Sequence, residues 1–156
     1  MTTWTPDRIP LWVAPVEGEA LDSWLEAYAR RLAVTGGEFT RFIGLSCTDL
    51  KLMVRRLTPV ERDVLSRHTG LASTALDTMT LDRFDGPIVA IQPDDRALNR
   101  PPAWRYYGSR SRFCPACLAD DGGRWQLSWR LPWSFACIRH ELGRFPLSVD
   151  TLIIGS

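Results

Sequence analysis

Phe113-Cys114-Pro115-Ala116-Cys117, followed after a 19-residue spacer by Cys137-Ile138-Arg139-His140, is the stretch on which the fold turns. The two pairs read C-x2-C and C-x2-H. A two-residue spacer lets both side chains of a pair turn toward one ion. Three thiolates and one imidazole, from Cys114, Cys117, Cys137 and His140, complete a tetrahedral shell. The spacing therefore predicts one structural zinc ion, with no coordination position open for a catalytic water. Pro115 stiffens the first pair and suits a tight knuckle. Two structural disulfides are the alternative, and they leave the position of His140 unexplained.

Between the two pairs, Trp125, Trp129 and Trp133 recur every four residues. One helix would stack the first two, and Pro132 would end it. Large aromatics at this spacing cover a small metal-held core that buries too little surface otherwise. Just upstream runs Trp104-Arg105-Tyr106-Tyr107-Gly108-Ser109-Arg110-Ser111-Arg112. Arg105, Arg110 and Arg112 are the candidate nucleic-acid contacts here; a solvated basic loop is the other reading. Asp82 to Pro102 reads as a connecting segment, with a short strand at Ile88-Val89-Ala90-Ile91 and loop residues after it.

Farther back the pattern is helical. Trp4 to Gly18 is rich in proline and tryptophan and is expected to be extended. Leu21, Trp24, Leu25, Tyr28 and Leu32 then form one apolar stripe at helical spacing. Gly36-Gly37 is expected to end that helix. A second helix is expected after Ser46 or Thr48, with Leu50, Val54 and Leu57 on one face. Thr58-Pro59-Val60-Glu61 is a strong helix start: threonine caps, proline suits the first helical position, and glutamate completes a capping box. That helix runs to about His68. Thr69-Gly70-Leu71 then turns into a helix over Ser73–Met79, with Leu76 and Met79 inward. Helix, short glycine-containing turn and helix is the outline of a helix-turn-helix, and also of many plain helical bundles. As a DNA reader it would present Ser73, Thr74 and Asp77.

The expected fold is thus mainly α (α+β). Residues 1–82 form a helical part with a helix-turn-helix-like unit, 83–112 connect, and 113–156 form a small zinc-binding module.

Composition narrows the function. A chain of 156 residues with 45% hydrophobic content can bury a real core. No apolar run is long enough to cross a membrane, and Met1 opens no signal-peptide pattern. Three cysteines belong to the metal pattern, and Cys47 is expected as a buried apolar residue. Such cysteine usage fits a reducing bacterial cytoplasm. The net charge of +1 excludes a nucleic-acid polycation. Charge is nevertheless segregated. Residues 1–29 carry Asp7, Glu17, Glu19, Asp22 and Glu26 against one Arg8, whereas residues 96–112 carry five arginines and no acid. Trp12, Glu17 and Glu19 are therefore candidate protein-partner contacts. His68, at a helix end, is expected to meet last-turn carbonyls rather than do chemistry. No Ser/His/Asp set, phosphate-binding glycine loop or confined carboxylate pair stands out, which argues against an enzyme, and the filled metal shell argues against a metal-dependent hydrolase.

Several stretches together resemble one family. Glu19-Ala20-Leu21-Asp22-Ser23-Trp24-Leu25 resembles the N-terminal signature of the TniQ family of transposition proteins. So does Thr69-Gly70-Leu71 followed by Leu76 and Met79-Thr80-Leu81. The strongest match is Phe113-Cys114-Pro115-Ala116-Cys117-Leu118 with Asp120, then Arg124, Trp129-Arg130-Leu131, Cys137-x2-His140 and Leu142. The resemblance implies a non-catalytic transposition factor. It would link target-site selection to an AAA+ ATPase regulator and the transposase. In CRISPR-associated transposons such proteins sit beside an RNA-guided effector and its guide RNA. It also implies helix-turn-helix elements beside zinc modules, and DNA within the assembly. The chain departs from many members at Arg144-Phe145-Pro146, where they carry another Cys-Pro and a second metal site. It also ends at Ser156, where longer members carry more helical domain. The alternative reading is a zinc-containing helix-turn-helix transcriptional regulator. Neutral net charge and Asp77 on the would-be reading helix favour the adaptor.

Overall fold

The computed structural model describes residues 8–86, 89–99, 112–131, 133–143 and 145–146. Within them the chain is α+β: six short helices, two 3₁₀ turns and three two-stranded antiparallel ladders.

Helix α1, Leu21–Arg31, forms where the apolar stripe predicts it, and Leu21, Trp24, Leu25 and Tyr28 are fully buried. The extended segment before it packs along this helix. Trp24 Nε1 donates to the Val13 carbonyl at 2.9 Å, and the Tyr28 hydroxyl donates to the Leu11 carbonyl. Tyr28 also meets Trp24 edge-on at 5.5 Å and stacks on Phe39 at 5.1 Å between ring centroids.

Phe39 belongs to α2, Gly36–Phe42, which begins where the glycine pair was expected to end helical structure. Thr35 and Glu38 explain the difference. They form a reciprocal capping box, with Glu38 N–H donating to Thr35 Oγ1 at 3.2 Å and Thr35 N–H donating to Glu38 Oε2 at 2.8 Å. Gly36 lets the helix pack closely: a Cβ there would sit 2.5 Å from Leu50 Cδ1 and 2.8 Å from Glu26 Oε1, and those side chains would have to shift. The next helix, α3, spans only Leu50–Met53; Val54 and Leu57 lie beyond its end yet are buried.

Helix α4, Pro59–Thr69, has the predicted cap. Thr58 and Glu61 exchange hydrogen bonds, and Pro59 occupies the first turn. His68 Nδ1 lies 3.0 Å from the Val64 carbonyl, in the last turn as expected. The helix stops at Gly70, whose φ of +77° is the left-handed conformation that closes helix C-termini. Helix α5, Ser73–Thr78, follows after Leu71 and Ala72, with Leu76 buried and Met79 just past its end. A 3₁₀ turn at Leu81–Phe84 leads into the β1–β2 ladder, Ala90–Ile91 paired with Leu98–Asn99.

Arginines lock this ladder onto the helices. Arg96, in left-handed backbone with φ of +58°, donates to the Arg56 carbonyl at 3.1 Å and to Glu61 Oε1 at 2.8 Å. Arg55 donates back to the Arg96 carbonyl at 3.2 Å. Arg56 in turn pairs with Asp82 at 2.7 Å and with Asp85. Arg96 therefore serves the fold and leaves the basic segment with one free cation fewer than its sequence promised.

Past β3, Arg112–Phe113, come α6, Pro115–Asp120, and a 3₁₀ turn at Leu127–Arg130. Strand β3 pairs with β6, Phe145–Pro146, and β4, Ala136–Cys137, pairs with β5, Leu142–Gly143. Trp125 precedes the 3₁₀ turn rather than sharing one α-helix with Trp129. The two indoles meet edge-to-face at 4.8 Å. Cys47 is half-buried against the main core rather than enclosed.

Candidate metal centre

Cys114 ends β3's approach and caps α6, Cys117 sits in the first turn of α6, and Cys137 closes β4. The tight turn after β4 then brings His140 back. This knuckle-and-hairpin arrangement gathers all four predicted ligands, with their donor atoms within 4.8 Å of one another. The three sulfurs are buried and His140 is half-buried. His140 Nδ1 lies 3.2 Å from Cys117 Sγ, 3.5 Å from Cys137 Sγ and 3.6 Å from Cys114 Sγ, and the Cys117 and Cys137 sulfurs are 3.5 Å apart. A tetrahedron with bonds of about 2.0–2.3 Å has edges of roughly 3.3–3.8 Å. Four of the six donor–donor distances lie close to such edges, and the set is compatible with one zinc ion.

The electrostatics point the same way. Burial and hydrogen bonds with Cys137 push the Cys117 thiol up to about 12. Burial opposes ionisation of Cys137, but hydrogen bonds from His140, Cys117 and Cys114 together bring it down to about 6. Packed thiols cannot all ionise as a set without a cation among them, and a bound metal supplies that charge. The other nitrogen of the imidazole, Nε2, is 3.0 Å from Asp120 Oδ2. Hydrogen bonds to Cys137 first, and then to Asp120, raise the His140 pKa. Asp120 thus fixes the ring with Nδ1 toward the sulfurs, a common support for a ligating histidine. Spacing alone does not reveal that role. Arg139 reaches Asp120 and Asp121 at 3.4 and 3.5 Å from outside.

Phe113 and Trp129 cover the cluster, with ring centroids 6.2 Å apart, and Trp125 packs against it. The same stretch is sewn to the start of α1. Ala20 N–H donates to the Trp125 carbonyl at 2.8 Å, and Leu127 N–H donates to the Gly18 carbonyl at 2.9 Å. Arg124 Nε donates to Glu19 Oε1 at 2.5 Å and its Nη2 to Glu19 Oε2 at 2.8 Å. Arg130 pairs with Asp22, whose carboxyl is raised because burial outweighs the pull of that arginine.

The remaining predicted contacts are scattered. Glu19 is 1% exposed, and Val16 N–H, the Ser23 hydroxyl and Arg124 all bind its carboxylate. It is an internal clamp, not a partner-facing acid; desolvation is tolerated because every oxygen is matched. Glu17 and Trp12 are exposed, Trp12 by 51%. Thr74 is exposed and Ser73 half-buried on α5, where Asp77 is already paired with Arg62 at 2.7 Å. Arg112 lies over the Phe135 ring at 4.7 Å. Arg105 and Arg110 lie outside the described residues.

Fold and site define a small α+β protein carrying a buried Cys3His cluster compatible with one zinc ion. The sequence pattern of the TniQ family matches residues 10–143, and the chain belongs to that family. This makes it a transposition-associated accessory protein. A comparison with curated proteins returned no match. Among the described residues no helix is long and apolar enough to cross a membrane.

Proposed function

We propose that this chain is a non-catalytic adaptor in a transposition complex, holding one structural zinc ion at Cys114, Cys117, Cys137 and His140. It would link a target-selection complex, such as an RNA-guided CRISPR effector with its guide RNA, to an AAA+ ATPase that recruits the transposase on DNA. The observation that carries this reading is the TniQ match across residues 10–143. The four-donor cluster supports it, because a zinc held there has no position left for substrate. Residues 1–82, 83–112 and 113–156 would act as helical part, connector and zinc module. Exposed Trp12 and Glu17 would face the ATPase, since complementary charge mainly sets specificity and on-rate.

The test is capture by an AAA+ transposition ATPase, with and without DNA and nucleotide. Capture that weakens in Glu17→Lys is expected. Capture failure, together with tight sequence-specific DNA binding by the isolated chain, would sink the adaptor. The alternative, a helix-turn-helix transcriptional regulator, draws on α4 and α5 joined by a short glycine-led turn, with Thr74 exposed.

A further inference from the structure

Residues 14–19 lead into α1 with little apolar anchorage of their own: Ala14, Glu17 and Gly18 are exposed, and only Glu19 is buried. Their fastenings come from the far end of the chain. Arg124 donates to the Ala14 carbonyl at 3.1 Å and grips both carboxylate oxygens of Glu19. Leu127 N–H holds the Gly18 carbonyl at 2.9 Å. Glu19 in turn accepts from Val16 N–H at 3.0 Å and from the Ser23 hydroxyl at 2.8 Å. That hydroxyl accepts from Trp125 N–H at 2.8 Å. One buried carboxylate therefore ties this loop to itself, to α1 and to the metal region.

The place of Arg124 depends on α6, which is six residues long, is capped by Cys114 and holds Cys117. The turn that ends this helix carries the arginine. Asp121 N–H donates to the Cys117 carbonyl at 2.9 Å, Gly123 N–H to the Leu118 carbonyl at 2.8 Å and Arg124 N–H to the Asp121 carbonyl at 3.3 Å. So short a helix does not hold itself in water, and binding of an ion at the four donors would anchor it.

We propose that Glu19 is a metal-dependent latch. With a metal bound, Arg124 keeps Glu19 inside and residues 14–19 closed. When the metal leaves, α6 loosens and Arg124 is withdrawn. A carboxylate buried without its counter-charge is strongly unfavourable, so Glu19 turns out to water and releases the loop. Val13 stays tied by its hydrogen bond from Trp24 Nε1. Metal occupancy shifts the loop because the two states differ in what Glu19 touches. Glu17 rides on this loop, so the latch also sets the surface offered to a partner. That use rests on the adaptor reading; the latch itself does not.

Amide hydrogen exchange on the full chain, zinc-loaded and after chelation, tests the latch. On metal removal the Val16 and Glu19 amides should exchange about tenfold faster or more, while those of α4 keep their protection. Arg124→Ala should speed the same two amides with zinc still bound. Glu19→Gln keeps the shape and removes the charge, so its loop should respond to chelation markedly less than the parent's. Unchanged exchange at Val16 and Glu19 after chelation overturns the latch. Loss of protection throughout α4 overturns it as well, because the response is then global. Equal acceleration in Glu19→Gln does so too, since the loop would follow the metal region without need of a charge. Parent-like exchange in zinc-loaded Arg124→Ala is the fourth contrary result. No partner enters these measurements, so the latch and the adaptor reading fail separately.

Discussion

Among the described residues the main apolar core holds twenty-five buried residues, most from the N-terminal helices but with Leu127 and Leu131 from the metal region, whereas the cluster around the metal ligands holds five, three of them cysteines. Burial alone sustains the first. Trp24, Tyr28 and Phe39 each hide a large side chain, and apolar burial returns about 25 cal/mol per Å². The second has Phe113 and Trp129 as its only large buried apolar members, so a metal bound at the four donors would supply much of the energy that holds it. One chain would thus use two devices for order, and the seam between them combines the ion pairs Glu19–Arg124 and Asp22–Arg130 with Leu127 and Leu131, which the metal region lends to the main core.

Removing the metal attacks the weaker device and carries the largest expected effect. Elemental analysis should return one zinc per chain. Chelation or Cys117→Ser should release a binding energy on the order of 10 kcal/mol and collapse the packing of Trp125 and Trp129. Indole fluorescence and near-ultraviolet dichroism would report that collapse, while far-ultraviolet helicity from α1 to α5 should persist in large part. A metal-free protein with native indole signals would remove the basis of the contrast.

Next in size are the two ways of damaging the larger core and its seam. Trp24→Ala should cost about 3–5 kcal/mol by chemical denaturation, since the site is fully enclosed and cannot collapse around the hole. A loss below about 1 kcal/mol would class Trp24 with surface positions instead. Arg124→Ala should also cost about 3–5 kcal/mol, by leaving the Glu19 carboxylate buried without its partner. Pairing that change with Glu19→Gln should recover much of the loss. If the double variant is as unstable as the sum of the single ones, the seam is held by backbone hydrogen bonds and not by this pair.

What the sequence disclosed follows the range of the forces involved. The four-donor cluster was legible because two-residue spacers encode local geometry. Helix α4 was legible because Thr58, Pro59 and Glu61 are local capping signals. The stripe from Leu21 to Tyr28 was legible because helical period is local too. Glu19 was misread as a surface acid because its partner, Arg124, lies 105 residues away. Arg96 was counted as a free cation because Glu61 lies 35 residues away. Helix α2 is a different failure. Its Thr35–Glu38 box was present in the sequence, but the glycine pair between them read as a stop. Gly36 there packs close to Leu50, a tertiary contact no local rule contains. Thr35→Ala should therefore destabilise the helical part by about 0.5–2 kcal/mol, with the loss of the cap as its cause.

The smallest expected effect concerns acid. Asp85 ties the connecting ladder to the helical part: it accepts from Ile91 N–H at 3.0 Å and pairs with Arg56. The Ile91 hydrogen bond first, with help from Arg56 and against an opposing desolvation, lowers its pKa below the ordinary 3.8. A carboxyl lowered in the folded state adds stability that is fully present above its unfolded pKa and is lost as pH falls through the folded value. Asp85→Asn keeps the shape and removes the titration. At pH 6 the parent should be slightly the more stable, by a modest margin because the pair is about one-third exposed. That margin should close below pH 3.8, when followed by far-ultraviolet melting of the helices. The metal region should already be lost by then, because its thiolates and imidazole must be deprotonated to bind. Indole signals should therefore disappear at a higher pH than helicity does. A single coincident acid transition for both signals would show that the two regions share one fate, and the contrast between a burial-held core and a metal-held one would have to be abandoned.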